Sequence, residues 1–169
     1  MMRLILFLLV GFSLCGCGYH FAGETDQLPG GIRNLYVELF DNQTREAFLE
    51  NQVTNRVIEK FARTGKIDIV EDPGKADGIL SGVISSYGRD AVAYDQGDSI
   101  VEYRSHIGCT AELRKAGDRS VLWKGTVFWD QEYSSSDDRG AEEDAEAFAQ
   151  EAVAKRLADE LYSRMTENF

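Results

Sequence analysis

Two stretches of this chain alternate apolar and polar residues with a period of two and almost no exceptions. In residues 99–115, Val101, Tyr103, Ile107, Cys109, Ala111 and Leu113 share one parity. Glu102, Arg104, His106, Thr110, Glu112 and Arg114 share the other. After a turn at Ala116–Arg119, Val121, Trp123, Val127, Trp129 and Tyr133 resume the apolar parity. Successive side chains of a strand point to opposite faces, so this is the pattern of a half-buried sheet. The short connection makes the two strands an antiparallel hairpin. Pairing residues whose numbers add to 236 sets Leu113 against Trp123 and Ile107 against Trp129 on one face. It sets Glu112 against Lys124 and Arg104 against Glu132 on the other. Both faces favour the same register, so a slip is opposed twice.

The remaining pattern supplies a third long strand and two helices. Gly31–Phe40 reads as a strand, with Leu35, Val37 and Leu39 alternating against Asn34, Tyr36 and Glu38. Asp41–Thr44 is a polar turn that offers helix caps. From Arg45 the period becomes helical, with a stripe of Leu49, Val53, Val57 and Phe61 widened by Phe48 and Ile58 and ended by Gly65. Lys66–Val70 is a short strand. Asp77–Val92 is a long central strand, with Leu80, Gly82 and Ile84 facing one way and Ile79, Val83 and Tyr87 the other. Ala141–Met165 is a helix with Ala145, Phe148, Ala152, Val153, Leu157 and Leu161 toward the core. Its crowded acids, Glu142–Glu146, read as a solvated helix start favoured by the macrodipole. The order implies an α+β fold: two helices packed on one face of a mostly antiparallel four- to five-stranded sheet.

The N-terminus carries a different signal. Arg3 is followed by an apolar run, Leu4–Val10, too short to span a bilayer and suited to the core of a secretion signal. It ends Leu14-Cys15-Gly16-Cys17, the cleavage pattern of a bacterial lipoprotein with Cys17 as the acceptor. Cys15 is excluded as acceptor because Leu14 would occupy the position that must be small. The expected organisation is a signal peptide at 1–16, a lipidated tether at 17–30 and one domain at 31–169. Two or three acyl chains on Cys17 would hold the protein to the membrane. Gly18 after Cys17 favours the outer membrane, periplasmic side.

Of the 18 basic residues, cleavage removes Arg3 and leaves 17 against 29 acidic ones, a formal charge of −12. That excludes a general binder of nucleic acid, whose affinity comes from basic patches. Cys109 is then the one unmodified cysteine, so no intrachain disulfide is expected, and its parity places it in the core. The two histidines are His20, in the tether, and His106, a solvent-facing strand residue. Neither has neighbours at metal-ligand spacing, and Ser134–Ser136 with Asp137 and Asp138 lacks a histidine. Neither an enzyme nor a cofactor is expected. Trp123 and Trp129 read as packing residues.

An ordered set of short motifs resembles the LptE family of lipopolysaccharide-assembly lipoproteins. It comprises Cys17-Gly18-Tyr19-His20-Phe21, Leu28-Pro29-Gly30-Gly31-Ile32, Phe40-Asp41-Asn42-Gln43-Thr44, Ala76-Asp77 before Gly82, Val101-Glu102-Tyr103 and Val121-Leu122-Trp123. An Ala-rich final helix completes it. The resemblance implies a non-enzymatic outer-membrane lipoprotein that plugs the lumen of an LptD-type β-barrel, assists its assembly and contacts lipopolysaccharide. Cys17 is the one residue the motif transfers. Arg89, Arg104 and Lys124 are the candidates for lipid phosphates; the hairpin register pairs the last two with carboxylates, leaving Arg89 as the unpaired base. The loops Tyr94–Ser99 and Ala116–Ser120 are expected to enter the lumen. The alternative is a lipoprotein activator or adaptor of cell-wall synthesis or secretion, which shares the Phe-x-Asn-x-Thr opening.

Overall fold

The computed structural model describes residues 27–167. The signal peptide, Cys17, His20 and most of the tether lie outside the described residues. After a 3-10 turn at Pro29–Gly31 come β1 (Asn34–Val37), β2 (Asp41–Asn42), α1 (Leu49–Arg63), β3 (Asp68–Ile69), β4 (Gly78–Tyr94), β5 (Ile100–Lys115), β6 (Val121–Ser134) and α2 (Arg139–Glu167). The strands form one sheet in the order β3-β1-β4-β5-β6, with β2 also beside β4. The short strands run parallel to their neighbours, and β4, β5 and β6 form a long antiparallel meander. The fold is α+β with two helices and a mostly antiparallel sheet.

The β5–β6 register is the one the alternation demands: Leu113 meets Trp123, Ile107 meets Trp129, Glu112 meets Lys124 and Arg104 meets Glu132. On the helix side, Leu80, Ile84, Ile107, Cys109, Leu113 and Val127 are buried. Leu49, Val53, Val57 and Phe61 of α1 and Val153, Leu157, Leu161 and Met165 of α2 close over them. Phe61 meets Tyr162 edge-to-face with ring centroids 5.3 Å apart, joining the two helices. Arg56–Glu151 and Lys60–Asp159 bridge their outer rims.

Several sequence expectations are corrected. The first strand stops at Val37, and Leu39 is exposed while Phe40 is buried. The Phe40 amide donates to Thr54 Oγ1 of α1, and its ring lies over Gly82, where any Cβ would sit 2.4 Å from it. α1 begins at Leu49 rather than Arg45, because Phe48 adopts a left-handed conformation (φ 64°) and turns outward. Asn42 ties this approach, accepting from the Thr44 amide and donating to the Glu46 carbonyl. On α2, Phe148 is 76% exposed and Ala149 fills the core position instead. In β4 the register shifts between Ile84 and Ser86. That bulge reverses the side-chain alternation, so Tyr87 stands opposite Ile107 on the helix side. Leu28 and Pro29, read as tether, are already buried.

Candidate functional site

The bulge in β4 decides how the candidate cations are distributed. Before it, even-numbered residues of β4 face the helices; from Tyr87 to Ala91 the odd-numbered ones do. Arg89 therefore joins Ser105 and Tyr87 on the helix side, whereas Arg104 and Lys124 stand on the open side. The three residues do not form one site.

Arg89 is the centre of a polar cluster between the sheet and the start of α2. Its Nη1 donates to Glu146 and its Nη2 to Glu142, each at 2.6 Å. The guanidinium lies 3.9 Å from the centre of the Tyr103 ring, which in turn stacks on Tyr133. Partial burial disfavours its charge, but Tyr103 and Glu146 outweigh this, and it remains fully protonated. Tyr87 donates to Glu146 and accepts from Gln150, which also reaches Glu46. Burial, with a lesser push from Glu146, raises the Tyr87 phenol to about 12. The reading of Arg89 as unpaired is thus corrected, and so is that of Glu142–Glu146 as merely solvated. Glu142 and Glu146 are one helical turn apart and converge on one base. Burial acts to raise the Glu142 carboxyl, yet Ser135, Ser136 and Arg89 hold it below the usual range.

The open side of β4–β6 is a ladder of polar pairs. Arg104 meets Glu132, with Asp130 at 3.4 Å. Glu112 accepts from Arg114 and from Lys124, the latter at 3.2 Å. Hydrogen bonding from Arg114 first, and then from Lys124, lowers the Glu112 carboxyl. Between these rows Thr110 and Thr126 share a hydrogen bond of 2.9 Å. His106 lies over Gly88, 3.3 Å from Asp90 and 5.6 Å from the Phe128 ring centre. An added Cβ at Gly88 would fall 2.3 Å from the imidazole, so a side chain there would displace His106. Phe128 occupies a polar-parity position and is 55% exposed. An aromatic residue out of phase was the signal in the sequence, and it marks this face as more than a solvated surface.

A shallow groove of about 310 Å³ closes one end of this face. Leu39, Val83 and Thr110 line it, with Lys124 and Arg114 set among Glu38, Asp41 and Glu112. Such a groove can take polar, partly charged chain or sugar groups. His106 has an acid beside it, but no hydroxyl or thiol is bonded to it, and Cys109 is buried on the other side. Among the described residues no three His, Cys, Asp or Glu side chains are grouped to hold a metal. No helix among them is long and apolar enough to cross a membrane.

Comparison with known proteins agrees with this architecture. A family model described as "LptE: Lipopolysaccharide-assembly" matches residues 32–165. No functionally curated protein matches. Among solved structures, an uncharacterized lipoprotein B from Nitrosomonas europaea superposes with a TM-score of 0.60 at 11% identity, covering 88% of this chain and 90% of that one. The rare lipoprotein B from Shewanella oneidensis gives 0.54 at 13% identity, covering 79% and 93%. The PelC dodecamer from Paraburkholderia phytofirmans gives 0.53 at 16% identity, covering 85% and 94%. At these identities the structures speak for the fold alone.

Proposed function

The chain belongs to the LptE lipopolysaccharide-assembly family, and from that membership we propose that it is an outer-membrane lipoprotein anchored through Cys17. In this reading it sits as a plug in the lumen of an LptD-type β-barrel, assists that barrel's assembly and contacts lipopolysaccharide in transit. It acts by binding rather than by catalysis. The family match over residues 32–165 carries the proposal.

Two physical features support it. A barrel lumen is polar, and the open side of β4–β6 presents paired charges and hydroxyls rather than a continuous apolar surface. The 16 residues of β5 span roughly 50 Å at 3.3 Å each, enough to traverse a bilayer with its headgroups. The loops 95–99 and 116–120 therefore lie at opposite ends of β5, so only one of them leads into the lumen. With Arg89 committed to the fold, Lys124 and Arg104 on the open side become the contacts for lipid phosphates. Lys124 has a side chain 61% exposed and Arg104 one 44% exposed. The chain's formal charge of −11 makes any such contact local.

The test is a pull-down of the tagged full-length protein from detergent-solubilised membranes. A large outer-membrane β-barrel is expected in the eluate. Recovery of a cell-wall synthase with no barrel would replace this reading with the activator one.

A further inference from the structure

On the open side of the sheet, side chains of β4, β5 and β6 stand in rows of three, one row for every second residue. Asp90–Arg104–Glu132 is a charged row. The next two rows are built differently: Gly88–His106–Asp130 and Ser86–Gly108–Phe128 each hold one glycine and one aromatic ring. The imidazole of His106 leans across Gly88 and takes the space that a side chain there would fill. At Gly108 a Cβ would meet Ser86 Oγ at 2.5 Å and lie 3.7 Å from the Phe128 ring. The two missing side chains leave the rings side by side, with centres 5.6 Å apart and planes inclined by 32°. Ile107 and Val127, the chain neighbours of these aromatic residues, are buried under the helices and hold the platform from behind.

We infer that this platform binds an uncharged saccharide ring, stacked on Phe128 and His106. The face of an aromatic ring is negative and attracts polarised C–H groups. A pyranose offers such groups on one face and turns its hydroxyls to the rim. The rim of the platform answers them. Asp90, Asp130 and Glu132 have side chains 68%, 45% and 43% exposed, and a carboxylate accepts from hydroxyls. On the opposite side the paired hydroxyls of Thr110 and Thr126 stand one row from Gly108 and Phe128, roughly 7 Å along the strands. These three carboxylates face one guanidinium, Arg104, which is already bonded to Glu132. The platform itself therefore favours an uncharged ring, and phosphate contacts stay at its flanks. The inference deepens the lipopolysaccharide reading and rests on it for the origin of the saccharide.

Saturation-transfer NMR on the full-length, lipidated protein in detergent micelles tests it. The probe is a lipopolysaccharide core oligosaccharide, freed of lipid A by mild acid and of phosphate by hydrofluoric acid. Ring C–H protons on one face of a sugar should receive saturation from the protein. Phe128→Ala should weaken binding roughly fivefold, the loss of about one aromatic contact, and Phe128→Trp should restore it. Val121→Ser, at a residue as exposed as Phe128 but at the start of the strand, should leave binding unchanged. No transfer from the native protein, equal transfer from Phe128→Ala, or binding seen only with the phosphorylated oligosaccharide would each overturn the inference. The measurement contains no barrel, so its failure is distinct from a failure to recover one in the pull-down.

Discussion

Cys109 has no exposed surface at the middle of β5, and burial pushes its thiol up to about 12, with only a partial offset from a backbone contact at Val83. Thiolate is the reactive form, so the native protein should react with thiol reagents at about pH 8 only as fast as it opens. Cys109→Ala should cost roughly 1 kcal/mol for the small cavity, read as a shift in denaturant midpoint. Rapid labelling of the folded protein would contradict both statements. Asp77 illustrates the opposite shift. Its carboxylate accepts from the amide of Asn34, then from that of Arg33, and from Asn34 Nδ2, and these bonds lower its pKa. A carboxyl depressed by folding adds stability above its unfolded pKa and loses it as pH falls through the folded one. The stability gap between the native protein and Asp77→Asn should therefore be widest at neutral pH. It should close below about pH 4 as the carboxyl protonates. A gap independent of pH would show that Asp77 does not tie β1 to β4.

At the scale of elements, α2 is two different helices in sequence. From Ala149 onward Ala149, Val153, Ala154, Leu157, Ala158 and Leu161 are buried, whereas from Arg139 to Phe148 no residue is. That first stretch is held to the sheet by Arg89, Tyr87 and Ser135 acting on Glu142 and Glu146. Local opening follows the weakest packing, so this stretch should exchange its amide hydrogens before the rest of α2. Arg89→Ala should speed exchange over 142–148 by roughly tenfold, the effect of losing about one charge-assisted hydrogen bond. Amides beyond Ala149 should change little, and uniform acceleration along α2 would mean that Arg89 supports the whole fold. A charge reversal at Arg89 therefore tests the latch on α2 before it tests any contact with a lipid.

For the whole molecule, attachment and fit are separable. Cys17 is the expected acylation site, and the domain from Leu28 onward has its own core. Cys17→Ala should leave the domain folded and release it from membranes unless the barrel retains it. Two anchoring chains give near-permanent attachment, and their loss removes that term alone. Intact-mass analysis of the mature native protein should show acylated Cys17, and an unmodified thiol there would refute the anchor. Removing the lipid should leave the barrel complex in place, because the contacts within a lumen come from the domain surface.

The sequence by itself determined the fold class, the helix stripes apart from Phe48 and Phe148, and the hairpin register to the residue. Those features rest on local periodicity, and in β5–β6 two faces independently favoured one pairing. The buried place of Cys109 followed from the same parity. Only the tertiary structure decided where Tyr87 and Arg89 point, since one extra residue in β4 reverses the side chains from Ser86 to Ala91 and leaves no mark in composition. It also decided that Phe40 rather than Leu39 enters the core, because that choice depends on the space over Gly82. The pairing of Arg89 with Glu142 and Glu146 joins residues more than fifty positions apart, beyond the reach of any periodic reading. The candidate surface was half legible: Arg104, Lys124 and their partners came from the register, while the side of the sheet left uncovered was settled by where the helices pack.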